Sequence, residues 1–139
     1  MICLLDSSVV IAALLAGASA HPQCGALLEQ TGAHIYAHAL TEVFATLTGG
    51  RLGRRIQPVL ATELVESGLL PFVSVVTLTT SEVVGALRTS EALGARGGAI
   101  YDYLHLVAAR KINAEKLYTL DPSDFLALYR SGDPEITIP

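Results

Sequence analysis

The chain is short of charge. Only 16% of its 139 residues are Asp, Glu, Lys or Arg, against about 25% in an average domain. Some 51% are hydrophobic, and the mean hydropathy is +0.49. A surface this poor in charge is expected to be covered in part by a partner or a second copy of the chain. Positive charge is scarcest, with nine Lys and Arg against thirteen Asp and Glu and a formal net charge of −4. That balance excludes a protein that holds nucleic acid by overall charge. It leaves room for a local basic lip or for phosphate contact through a metal ion. Cysteine is nearly absent: Cys3 and Cys24 form no CxxC pattern, and Cys3 lies inside the first apolar run. A disulfide framework is excluded, and a reducing, cytoplasmic compartment fits. No stretch reaches the length of about 20 apolar residues that a membrane span requires.

The first segment resembles a secretory leader in having an apolar run and ending in Ala18-Ser19-Ala20. Yet no Lys or Arg precedes the run and Asp6 falls inside it, so a first strand is expected there instead. Repeats, low-complexity tracts and linkers are also missing. What remains is a single domain over residues 1–139, long enough for one proper core.

Short apolar runs alternate with longer segments of helical character, the sequence form of an α/β fold with a central, mostly parallel five-stranded sheet flanked by helices. Strands are expected at Ile2–Leu5, His34–His38, Phe72–Val76, Leu117–Leu120 and Ile136–Ile138. None of these runs alternates with period 2, as befits strands buried on both faces. Helices are expected from Ser7 or Ser8 to about Ala16, then over Gln23–Gln30, Thr41–Leu47, Arg54–Glu66, Ser81–Leu93, Ala99–Ile112 and Ser123–Tyr129. Ser81 is a candidate cap, Gly49-Gly50 a stop, and Pro122 a first helical residue.

Against this apolar background four acids stand at element boundaries. Asp6 closes the first strand and Asp121 the fourth; Glu42 and Asp102 lie early in helices. In open α/β sheets ligands bind outside the carboxyl ends of the strands, and all four acids can face that edge. Each has a plain structural reading alone, as a cap or a partner of a helix dipole. Together they would repel one another unless a cation met them. Carboxylates without His or Cys suit Mg²⁺ or Mn²⁺ and not zinc. A metal so held can orient a water, lower its pKa and neutralise a phosphoryl group under in-line attack.

The same positions carry a family resemblance. Ile2-Cys3-Leu4-Leu5-Asp6-Ser7-Ser8-Val9 is similar to the opening motif of PIN-domain ribonucleases. Leu40-Thr41-Glu42-Val43-Phe44-Ala45-Thr46-Leu47 resembles their second motif, and the segment from Gly97 to Arg110 around Asp102 their third. Thr119-Leu120-Asp121-Pro122-Ser123-Asp124-Phe125 resembles the fourth, T-x-D-x-x-x-F. The order and the length match VapC-type toxins of toxin–antitoxin pairs. The resemblance implies a PIN-like three-layer sandwich and a Mg²⁺- or Mn²⁺-dependent endoribonuclease acting on an RNA substrate. It also implies a homodimer silenced by a cognate antitoxin. Asp6, Asp102 and Asp121 would then bind metal, and Glu42 would do so directly or through water. Ser7 and Thr119 would be hydroxyl-bearing supports. Of the two acids in the fourth motif Asp121 is preferred because it directly ends the strand, with Asp124 as the second candidate.

Other polar residues are less telling. His105 follows Asp102 by three residues, so it neighbours that acid on the helix and serves either substrate contact or a structural hydrogen bond. Arg51, Arg54 and Arg55 are the only dense basic cluster, either a grip on RNA phosphates or a solvated turn. A haloacid-dehalogenase-type phosphatase would need D-x-D, and the second position is Ser8. A receiver domain would need a paired acid and a late lysine that are not evident. A catalytically idle PIN-like module that binds RNA or protein is the non-enzymatic alternative, and loss of one of the four acids would have favoured it.

Overall fold

The protein is described by a computed structural model covering Met1–Pro139. All five expected apolar runs become strands: β1 (Cys3–Leu5), β2 (Ala33–Tyr36), β3 (Ser74–Val76), β4 (Lys116–Tyr118) and β5 (Glu135–Thr137). They lie in the order β3-β2-β1-β4-β5, and every neighbouring pair is parallel. The sheet is thus wholly parallel. Leu4 is in register with His34 on one side and Leu117 on the other.

Seven α-helices cover the two faces: α1 (Ser7–Leu14), α2 (His21–Leu28), α3 (His38–Thr48), α4 (Pro58–Glu63), α5 (Thr80–Leu93), α6 (Ala99–Lys111) and α7 (Pro122–Leu126). Because strand side chains alternate in direction, β1 feeds two cores at once. Cys3 and Leu5 point into a cluster with Val9, Val10, Leu27, Val43 and Leu47 from α1, α2 and α3. Leu4 points the other way, into a cluster with Ala86 from α5, Leu106 and Ala109 from α6, and Phe125 from α7. This is the three-layer arrangement expected. Both cysteines are free and buried in the first cluster, and no helix is long and apolar enough to cross a membrane.

Several boundaries differ from the sequence reading, each for a local reason. In the run at His34–His38 the strand ends at Tyr36, with one more bond from Ala37 N–H to Val76 O, because α3 already begins at His38; Glu42 is thus the fifth residue of its helix and not part of a first turn. The fourth strand ends at Tyr118. Thr119 N–H still bonds Thr137 O, but Leu120 N–H turns away to Ser8 Oγ. Asp121 therefore lies three residues past β4 and does not directly end it. The expected helix over Arg54–Glu66 starts only at Pro58, whose ring holds Gln57 extended, so Arg54 and Arg55 lie outside it. Beyond Glu63 the chain widens into a π-turn over Leu64–Leu69 and tightens into a 3₁₀ turn over Leu70–Phe72. Thr79, not Ser81, caps α5, in a reciprocal pair with Glu82.

Candidate active site

The strand order fixes where a site can form. From β1 the chain steps outward to β2 and β3, then returns to β4 on the other side of β1. The segments leaving β1 and β4 diverge at that switch, opening a crevice beyond their carboxyl ends. A cavity of about 380 Å³ lies there, and Asp6, Glu42, Asp102, Asp121 and Asp124 all line it. The four acids singled out in sequence are brought together, as is the competing fifth.

Asp6 is held most firmly. It is 6% exposed and caps α1, its Oδ1 accepting from Val9 N–H at 3.1 Å and from Ser8 Oγ at 2.6 Å. Ser8 Oγ also accepts from Leu120 N–H at 3.0 Å, so one hydroxyl ties the start of α1 to the chain leaving β4. Burial pushes the Asp6 carboxyl up from its ordinary value, against the pull of those hydrogen bonds.

Glu42 is paired across the crevice. His105 Nε2 donates to its Oε1 at 2.7 Å. Burial works to raise Glu42, but the bond and charge of His105 outweigh it and hold the carboxyl below its usual range. With Nε2 so engaged, His105 Nδ1 is buried without a hydrogen-bond partner, and so is Ser7 Oγ. Of the two readings of His105, the structure gives it a hydrogen bond to one of the four acids.

Asp102 is shifted by burial and by its neighbours together. Burial raises it, and the like charges of Asp124, Asp6 and Glu42 raise it further against His105, to about 6. Asp124 is the strongest of these charges. Asp121 and Asp124 both line the cavity, and because β4 ends at Tyr118, Asp121 does not directly end the strand.

The remaining expected residues divide. Ser7 and Arg51 line the cavity. Thr119 is fully buried, and its Oγ1 accepts from Asp121 N–H at 2.9 Å, which shapes the turn that carries the acid. Arg54 lines a separate hollow with Leu15, Ala18 and Ile56. Arg55 packs over Gly50, where an added Cβ would stand 3.0 Å from its Nε, and Gly50 itself is at φ +83°. The basic cluster is therefore split, one arginine facing the acids and two facing elsewhere. Sequence reasoning missed Ser8 as a cross-brace, although Asp6-Ser7-Ser8 held the signal. Thr46, Ile11 and Leu52 in the lining had no signal at all.

The donors present fit a hard divalent cation. All five acids offer oxygen, neither cysteine lines the cavity, and the one histidine of the cavity is occupied by Glu42. Burial first, and then the like charges of Asp124, Asp6 and Glu42, raise Asp102 to about 6; a cation would offset the like-charge part. The acids do not close into a finished cage, since no three His, Cys, Asp or Glu side chains are gathered tightly enough to hold a metal by themselves.

Comparison with known proteins agrees with this geometry. A PIN-domain profile matches residues 3–130. No curated protein matches the chain in sequence. Among solved structures, VapC20 of Mycobacterium tuberculosis, described as a sarcin–ricin loop cleaving toxin, superposes with a TM-score of 0.69 at 20% identity, covering 95% of this chain and 99% of that one. VapBC2 of Rickettsia felis, bound to a promoter DNA fragment, gives 0.68 at 14% identity, covering 99% and 98%. FitAcB of Neisseria gonorrhoeae gives 0.61 at 16% identity, covering 97% and 96%.

Proposed function

The chain belongs to the PIN-domain family, and from that premise we propose that it is a metal-dependent endoribonuclease acting in the cytoplasm as the toxin of a toxin–antitoxin pair. One observation carries the reading: five carboxylates from four separate segments line one cavity at the switch point of the sheet. Carboxylates so crowded are costly in the absence of a cation; at Asp102 the like charges of Asp124, Asp6 and Glu42 add to the larger effect of burial.

Asp6, Asp102 and one of Asp121 and Asp124 would hold Mg²⁺ or Mn²⁺, with Glu42 reaching it directly or through water. When bound, the cation would lower the pKa of a water and neutralise charge on the phosphodiester under attack. The protein's own part is positioning. Ser8 and Val9 N–H fix the Asp6 carboxylate, and His105 fixes Glu42 and keeps it ionised. An ionised Glu42 is ready to accept a proton from a water on the phosphate. Arg51, the one cation of the cavity wall, is set to meet a phosphate oxygen of the RNA backbone.

Partners follow from the surface. Val59, Leu60, Leu87, Leu126 and Ile138 are half-exposed or more, an apolar excess that supports a homodimer and a cognate antitoxin covering part of the rest. The solved neighbours include toxin–antitoxin complexes, which supports the same partner class here. The test is to incubate the purified protein with total RNA plus Mg²⁺ or Mn²⁺, beside an EDTA control. Cleavage at defined sites with metal and none with EDTA is expected. Cleavage unaffected by EDTA, or none under any condition, rejects the proposal.

A further inference from the structure

Outside the acidic cavity the structure carries a second feature that the proposed chemistry leaves unused. The rings of His38 and Tyr101 lie parallel, 6° apart in plane with centroids 5.2 Å apart. They come from different elements, His38 from the first position of α3 and Tyr101 from the first turn of α6. Each sits beside an acid of the cavity. His38 precedes Glu42 by one helical turn, so the two share a face of α3, and Tyr101 immediately precedes Asp102. The pair is braced from below by Tyr36, which is 8% exposed and lies with its ring 6.4 Å from that of His38. Tyr36 also meets His105 edge to face at 5.6 Å, so the same buried ring supports both the stacked pair and the histidine that holds Glu42.

Tyr101 is 49% exposed. One face of its ring is taken by His38, and an aromatic ring held rigid on one side presents its other face as a stacking surface. A tyrosine placed for packing would bury that face, and none of the two core clusters includes it. We propose that the His38–Tyr101 stack is a nucleobase subsite, on which an unpaired base flanking the attacked phosphodiester lies as a third layer. The inference rests on the endoribonuclease reading. Single-stranded RNA suits the subsite because its bases can be splayed out of a helix, and stacking on aromatic rings is a general way to hold them. Every base has a π-face, so the subsite contributes grip more than sequence readout, with purines favoured for their larger rings.

The experiment compares the wild type, Tyr101→Ala, Tyr101→Leu and Tyr101→Phe in cleavage of a short single-stranded RNA with Mg²⁺ or Mn²⁺. Wild-type cleavage establishes the parent reading first; its absence rejects that reading, whatever the variants do. Given cleavage, Tyr101→Ala and Tyr101→Leu are expected to raise KM by about 5- to 150-fold with kcat held, the range typical for loss of one stacked base. Tyr101→Phe, which keeps the ring, retains the wild-type KM. Leucine keeps the bulk of the side chain without a π-face, so a folding defect confined to alanine does not blur the result. Equal KM in wild type and leucine variant overturns the subsite. So does a Tyr101 effect that appears only as a change in oligomeric state by size-exclusion chromatography with light scattering, which would assign the ring to an interface with a second copy.

Discussion

His105 Nε2 lies 2.7 Å from Glu42 Oε1, joining α6 to α3 between residues 63 positions apart. His105 is 1% exposed and Glu42 is the partly open end of the pair. Replacing His105 with Ala removes the donor, opens a cavity and leaves the carboxylate half-buried without its partner. A loss of about 2–4 kcal/mol at pH 7 is expected in urea unfolding. The pH dependence has a definite sign. Glu42 sits below its usual 4.5 in the folded protein, so its ionised form stabilises the fold above that value, and the contribution fades as pH falls through the lower folded value. The gap between wild type and His105→Ala should therefore narrow in acid. A gap constant from pH 7 to pH 3 would show that the pair contributes nothing beyond packing.

Asp6 does two jobs, and two substitutions separate them. Asn retains an oxygen that caps α1 by accepting from Val9 N–H; Ala does not. Loss of the cap costs about 0.5–2 kcal/mol, so Asp6→Ala should melt below the wild type. Burial raises the Asp6 carboxyl. Its share of stability is therefore present at low pH and lost as pH rises through the folded value. At pH 7, free of metal, Asp6→Asn escapes that loss and should melt at or above the wild type. Added Mg²⁺ should raise the melting temperature of the wild type alone. A Mg²⁺ shift of equal size in Asp6→Asn would remove Asp6 from the metal site.

What the sequence made legible was the part set by local pattern. The buried runs around Leu4, Ile35 and Leu117 read as strands because their neighbours on both faces are apolar. Asp6 read as a site residue because a charge inside such a run demands a reason. The edge shared by the acids followed from the parallel order alone. What stayed hidden depends on contacts between distant segments. The Glu42–His105 bond and the Ser8 brace to Leu120 join elements whose spacing in sequence carries no sign of their meeting. The split of the arginine cluster turned on Pro58, which delays α4 and leaves Arg54 and Arg55 in the loop before it, Arg54 lining a hollow with Leu15 and Ile56. The reason for setting Asp121 before Asp124 depended on where β4 stops, two residues earlier than its apolar run.

Asp102 supplies the pH dependence of metal binding. Its carboxyl is raised to about 6, by burial first and then by Asp124. Without metal, the protonated form is the favoured one below that pH, so stability from this group is lost as pH rises through about 6. A cation must displace the proton, so the Mg²⁺-induced thermal shift should weaken as pH falls below about 6. Asp124→Asn removes the strongest like charge and should lower the Asp102 titration midpoint, followed by carboxyl NMR. Asp121→Asn should move it less. The reverse order would favour Asp121 for the fourth acidic position.

Arg51, Arg54 and Arg55 offer a last discrimination, because charge alone makes them equivalent and geometry does not. Arg51 shares the cavity with the five acids, while Arg54 lines the hollow by Leu15 and Arg55 lies over Gly50. If Arg51 meets an RNA phosphate, its replacement by Ala removes one counterion-releasing contact. The slope of log affinity against log salt should fall by about 0.7 for single-stranded RNA. Arg54→Ala and Arg55→Ala should leave the slope within error of the wild type. Binding is measured by fluorescence anisotropy on a labelled oligoribonucleotide with Ca²⁺ in place of Mg²⁺, across a salt series. Equal losses for all three arginines would point to a diffuse basic lip, and the position of Arg51 in the cavity wall would then have no bearing on how the RNA is held.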